Sequence, residues 1–275
     1  MHGHYLDDYT PCNPWMPVPD PCVVVTLPGG LELSAELGPA RSGLTLAGWS
    51  GWDEGPEVTG GAVPYESADG GAEGDVYLQG RNLAFSGLII GSSPAHYWEL
   101  RQELGSLLTV ERWGVLRVDE QHLGLARQVR VARGGRPVLG DPLSDRIGSY
   151  QVQLQSASYL LTDVDLQTVT VPAGGVDVRN IGTAPAHVTA RLVGPLTNPG
   201  LSWPGGAWTY GATIPSGTTI TVDMHRRTVR NRATTAHSRN LASGSWLAIP
   251  PGTTHVSRTG SGAGRIELDW RSSWH

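Results

Sequence analysis

The sequence of 275 residues contains no lysine, one phenylalanine, two cysteines and three methionines. All 20 of its basic residues are therefore arginine. Without a primary amine on any side chain, a P-loop lysine, a Schiff-base lysine and a Ser–Lys dyad are excluded. Two cysteines are too few for a disulfide scaffold. Cys12 and Cys22 flank the proline-rich stretch CNPWMPVPDPC, and either a bridge across it or two free thiols accounts for them. No window approaches ~18 consecutive apolar residues, so no membrane insertion is expected. The start MHGHYLDDYTPC has neither the basic beginning nor the apolar stretch of a signal peptide. The formal net charge is −5, and no basic run stands out, which argues against a nucleic-acid-binding surface.

What is abundant is punctuation. Glycine numbers 37 and proline 20, and turn residues recur between short apolar runs. The length is that of two domains, each able to bury a core. Residues 1–21 read as a proline-rich arm with little structure of its own. Residues 22–164 read as a β domain: a hairpin over Val23–Leu27 and Leu31–Glu36, strands at Leu44–Ala47, Asp75–Leu78 and Asn82–Ile90, and later strands at Val115–Val118, Leu123–Ala132 and Tyr150–Leu161. Residues 48–74, rich in glycine and acids, read as a long loop of the kind that usually has a purpose. One helix is expected over 94–108, with Ser93 as N-cap, Pro94 at the first helical position, and Tyr97, Leu100, Leu104, Leu107 and Leu108 along one face. Residues 165–275 read as strand after strand with turns every 8–12 positions, the pattern of a β-sandwich. The boundary is expected near 162–168. The fold class is thus mainly β.

Motifs of catalysis are missing. There is no G-x-S-x-G elbow and no H-E-x-x-H helix. Gly260-Ser261-Gly262-Ala263-Gly264 lies between two expected strands, so it reads as a hairpin loop and not as a phosphate cradle. The acid pairs Asp53 with Glu54 and Asp163 with Asp165 read as solvated loop residues, and His2 with His4 as a solvated terminus. No cofactor, no metal site and no enzyme activity is expected. The aromatic pattern says more, because there are ten tryptophans. Trp49 and Trp52 sit in the acidic loop, and Trp203 and Trp208 bracket Pro204-Gly205-Gly206 in a second expected loop. Loop tryptophans serve either as anchors of a protein interface or as stacking platforms for sugar rings. Trp246 and Trp270 read as core.

The second half carries an ordered set of short motifs. They are Asn180-Ile181-Gly182-Thr183-Ala184-Pro185-Ala186, Gly194-Pro195-Leu196-Thr197-Asn198-Pro199, Asp223 followed by Arg227-Thr228-Val229, Trp246 to Gly252, and Trp270-Arg271-Ser272-Ser273-Trp274. In this order they resemble the distal tail (Dit) proteins of siphoviruses, the phage tail or minor tail component family. The resemblance extends more weakly over residues 22–164 and does not include the arm. It implies an N-terminal ring-forming β domain and a C-terminal galectin-like or carbohydrate-binding-module-like sandwich. It further implies a homo-hexamer at the virion tail tip, assembled in the host cytoplasm. That ring would join the tail tube protein to the tail hub and baseplate, with receptor-binding proteins or a host glycan as further partners. Genomic DNA would pass through its lumen unbound, and acids should outnumber arginines on the lumen face. Trp49, Trp52, Tyr97 and Trp98 are the candidates for subunit or tube contacts. Trp203 and Trp208 are the candidates for a glycan or protein contact, the basis of an alternative reading as a host-attachment module.

Overall fold

The computed structural model describes residues 23–35, 42–61, 63, 64, 69, 71–108, 113–237 and 240–275. The arm at 1–21, with His2, His4 and Cys12, lies outside the described residues, and so does Cys22. The chain divides into two compact units, residues 1–159 and 160–275.

In the first unit, strands β1 (Val23–Thr26) and β2 (Glu32–Ser34) form the expected hairpin, with Val25 opposite Leu33. Next come β3 (Gly43–Thr45) and β4 (Gly48–Ser50). The stretch expected as a long loop is not one. Beyond β4 it contains β5 (Val58–Gly60), β6 (Val63–Pro64) and β7 (Gly71–Ala72), and β8 (Val76–Leu78) follows. β8 falls within the strand expected at Asp75–Leu78, whereas β5, β6 and β7 are too short to show a period of two and are hidden by their composition. β5 pairs with β8 and β6 with β7, as a two-stranded ribbon. β9 (Asn82–Ile90) then carries strict alternation, with Leu83, Phe85 and Ile89 buried.

The helix α1 (Pro94–Ser106) starts where expected: Ser93 Oγ accepts the His96 N–H at 3.1 Å and Pro94 opens the first turn. It ends two residues early, with Leu107 as C-cap. After it run β10 (Gly114–Glu120), β11 (Leu125–Arg133), β12 (Val138–Pro142) and β13 (Ile147–Gln155). β13 pairs with β9 over its whole length, and with β11 through Ala132 opposite Gln155 and Arg133 opposite Leu154. The order β13-β9-β3-β2-β1-β10-β11 therefore returns to β13 and closes a barrel. Closure pairs nearly all the backbone groups that a free edge would leave open. Inside it lie Val25, Leu33, Phe85, Leu116, Val131 and Val152.

The second unit begins with β14 (Leu161–Asp163), which pairs with the last strand of the chain, β27 (Ser273–Trp274). Between them lie β15 (Gln167–Val171), β16 (Val176–Asn180), β17 (Ala186–Val193), β18 (Leu196–Trp203), β19 (Gly206–Tyr210) and β20 (Thr213–Ile214). There follow β21 (Thr219–Asp223), β22 (Thr228–Asn231), β23 (Leu241–Gly244), β24 (Ala248–Ile249), β25 (Gly252–Ser261) and β26 (Arg265–Trp270). One sheet runs β15-β26-β17-β21-β22 and the other β16-β25-β18-β19-β23. A single core holds them together. Val171, Leu192, Val222 and Leu268 come from the first sheet, and Val178, Leu201, Trp208 and Val256 from the second. This is a β-sandwich.

Residues 224–227 form a turn with Arg227 at a φ of +56° before β22 begins. The second Trp loop is the tip of a hairpin, with Trp203 opposite Gly206. β18 escaped the sequence reading because Asn198-Pro199-Gly200 looks like a breaker. The strand passes through it with Asn198 at a φ of +46° and a register shift between Thr197 and Gly200.

Candidate functional site

The root of the β5–β8 ribbon is built around one buried cation. Arg81 is 3% exposed. Its Nη1 donates to the carbonyls of Gly51 at 3.0 Å, Trp52 at 3.0 Å and Glu54 at 2.7 Å, and its Nε to that of Tyr159 at 3.0 Å. Its Nη2 is buried with no partner among the described residues. Burial and the nearby Arg127 both depress its pKa. Arg127 lies across the Trp52 ring at 5.5 Å and forks onto the buried carboxylate of Glu120 at 2.6 and 2.5 Å. Burial and the Glu120 charge raise the pKa of Asp53, with Arg127 pulling the other way. Trp52 is thus a core residue, stacked on half-buried Trp49 at 6.5 Å, and not the exposed contact the sequence suggested.

The ribbon above this root is open. Every residue of β5 and β8 is exposed, including Val58, Val76, Tyr77 at 62% and Leu78. A ribbon with that much uncovered apolar side chain has little to hold it in the isolated chain. Its pairing is closed at one end by Gln79 N–H to the Glu57 carbonyl at 2.8 Å and at the other by Gly61 N–H to that of Asp75 at 3.2 Å.

Around the helix the expected pair separates. Tyr97 is fully buried, and its hydroxyl accepts a bond from Arg101 at 2.9 Å. Arg101 also donates to the carbonyls of Gly140 at 2.8 Å and Leu139 at 3.2 Å, which ties α1 to β12. Trp98 is 50% exposed, edge-on to Tyr97 and under the Arg101 guanidinium. A second exposed indole, Trp113, sits beside Arg130 at 5.9 Å. It borders a groove of about 340 Å³ lined by Pro28, Leu31, Leu107 and Leu108. The sequence reading missed Trp113 because it stands alone between the helix and β10, with no second tryptophan to mark it.

In the second unit Trp208 is 0% exposed, at the centre of the sandwich core, and Trp203 packs half-buried against that core. The two cannot form a pair of sugar platforms. Trp246 packs against the same core, and buried Trp270 donates its indole N–H to the Arg179 carbonyl at 3.1 Å. The ordered motifs turn out to be internal fastenings. Asn180 is fully buried, and its Nδ2 donates to the carbonyls of Ala184 at 2.8 Å and Ile249 at 2.9 Å. Its Oδ1 accepts the N–H of Gly182 at 3.0 Å and of Ser273 at 3.3 Å. All four of its bonding positions are used. Gly182 must be glycine, since a Cβ there would lie 1.8 Å from the Ser273 carbonyl oxygen. Asp223 closes the turn before β22 by accepting the Arg226 N–H at 2.8 Å. Arg271 donates to the carbonyls of Asp163 and Val164, and Asp163 accepts the Asp165 N–H at 3.0 Å.

The outer face of the first sheet has its own charge network. Arg191 reaches Asp269 at 2.8 Å and Glu267 at 3.3 Å. A hydrogen bond from Arg265 holds the Glu267 carboxyl below its ordinary pKa. Beside this network the His187 and His225 rings stack at 3.5 Å, and burial with the neighbouring imidazole pushes His187 down to about 4. Among the described residues no three His, Cys, Asp or Glu side chains gather as a metal site. No described helix is long and apolar enough to cross a membrane.

No family model matches the sequence, and no curated protein matches it. Solved structures do. The SPP1 Dit protein (gp 19.1), described as a paradigm of the hub adsorption apparatus in phages that infect Gram-positive bacteria, superposes with a TM-score of 0.65. The match covers 92% of this chain and 99% of that one at 13% identity. A chain of the phage P2 baseplate in its activated conformation with Ca gives a TM-score of 0.48 at 10% identity, over 90% of this chain and 96% of that one. The motifs read in the second half and the fold of both units meet in one result: this chain has the fold of a phage distal tail protein.

Proposed function

We propose that the chain is a structural component of a phage tail tip and not an enzyme. Its copies close a hexameric ring between the tail tube protein and the tail hub, with the first unit building the ring. Receptor-binding proteins attach to the assembly, and DNA crosses its lumen without being gripped. The protein resides in the virion tail and is assembled in the host cytoplasm. One observation carries this reading: the likeness to SPP1 Dit runs through both units and nearly the whole of each chain.

The surfaces fit the role. A closed barrel offers neighbours faces and projections and few free edges. A ring made of one kind of subunit needs two different patches that meet head to tail. The exposed ribbon, Trp98 and Trp113 are apolar features of the sort that anchor such contacts. The host-glycan alternative rested on Trp203 with Trp208, and the burial of Trp208 removes its platform.

The test is the mass of the purified full chain by light scattering, followed by class averages of the particles. Six-fold rings are expected. A monomer whose mass stays constant as concentration rises overturns the proposal.

A further inference from the structure

The net charge of −5 conceals a segregation. From Ser42 to Gly80 the sequence has seven carboxylates and no arginine. From Met224 to Ile266 it has seven arginines and no carboxylate. The first stretch contains the ribbon, whose Glu57 and Asp75 are exposed beside Val58 and Tyr77. The second contains the turn into β22 and β22 itself, the last strand of its sheet.

The arginines there are set out for use. Asp223 fixes the turn through the Arg226 N–H, and Arg226, Arg227, Arg230 and Arg232 are all exposed. Arg226 spends part of its charge on Asp223 at 3.9 Å, and Arg232 acts on Glu267. Arg227 and Arg230 have no ion pair among the described residues. Uncompensated arginines on an edge are a standard device of electrostatic recognition, which sets partner choice and encounter rate.

We propose that the acidic β5–β8 ribbon of one copy docks on the arginine-bearing β21–β22 edge of a second copy, as a head-to-tail contact. The two halves of the contact differ, so it repeats from copy to copy and leaves no copy with both halves satisfied by itself. The ribbon's apolar side chains lose water at the same contact, and its carboxylates find the cations that its own stretch of sequence lacks. The inference rests on the ring reading above and adds to it a named pair of surfaces.

The test uses the full chain with charge reversals at exposed positions. R227E with R230E reverses the edge, and E57R with D75R reverses the ribbon. Each double variant should associate at least about tenfold more weakly at 0.15 M salt, and the wild type should weaken as salt screens the contact. The chain carrying all four substitutions should regain most of the association. Thermal melting checks that each variant is folded.

If the edge variant assembles as the wild type does, or if the fourfold variant is no better than either double, the inference is overturned. If the edge variant assembles normally but loses binding to polyphosphate, the arginines serve a polyanion and the inference is likewise overturned. In these cases a wild-type ring still stands. A wild type that never associates removes the ring reading as well.

Discussion

Two buried polar side chains, one in each unit, are treated in opposite ways. Asn180 in the sandwich has every donor and acceptor matched. Arg81 at the foot of the ribbon gives four bonds to backbone carbonyls from two nitrogens, Nη1 and Nε, yet its buried Nη2 bonds nothing among the described residues. A matched node makes a unit complete in itself. An incompletely matched buried cation is tolerated where something else is gained, and here it pins the root of a projection that its own chain leaves uncovered. Asn180 serves the closure of its own sandwich, and Arg81 serves the seating of a ribbon.

The largest effect should come from the matched node. Asn180→Leu keeps the size of the side chain and strands four backbone groups, so the second unit should lose about 3–5 kcal/mol. Calorimetry should show its transition shifted down while that of the first unit stays in place; a shift shared equally by both transitions would break the contrast.

Arg81→Met should cost less, about 2 kcal/mol, although it too removes four bonds. It also removes a buried charge and an orphaned donor, which offsets part of the loss. Hydrogen exchange of residues 51–57 and 76–80 should rise more than that of the barrel strands. A loss equal to that of Asn180→Leu would mean that Arg81 is as well satisfied as Asn180.

A pH-dependent effect belongs to the sandwich. His187 is held neutral down to about pH 4 in the fold, against an ordinary value of 6.5. Above 6.5 it is neutral whether folded or not, and its contribution is complete. Between 6.5 and 4 the unfolded chain takes up a proton that the folded chain refuses, so stability falls through that window and not further below it. With allowance for a ring that is not fully enclosed, the loss is about 1–3 kcal/mol. His187→Gln should flatten the fall between pH 6.5 and 4 in denaturant titrations. An identical pH profile in the variant would show that the stacked pair does not titrate in this way.

Sequence reading worked where the determinants are local. Ser93 and Pro94 announce the helix, and the alternations in Asn82–Ile90 and Arg265–Trp270 give those strands to the residue. It found β8 but failed at the similarly short β5, β6 and β7, and at the bulge of Asn198. The partners of Asn180 come from residues 182, 184, 249 and 273, so its role depends on distances along the chain that no local pattern records. The tryptophans show the same limit. Spacing placed Trp52 and Trp208 in loops, and packing put both in cores. Trp98, named from the helix, is exposed.

The pairing of β14 with β27 has a consequence for engineering. Leu161 stands opposite Trp274, so the strand that opens the sandwich and the strand that finishes it lie side by side. Such a module has a single doorway. Neighbouring ends of this kind are what lets a domain be set into a host loop or re-cut with its old ends joined by a short linker.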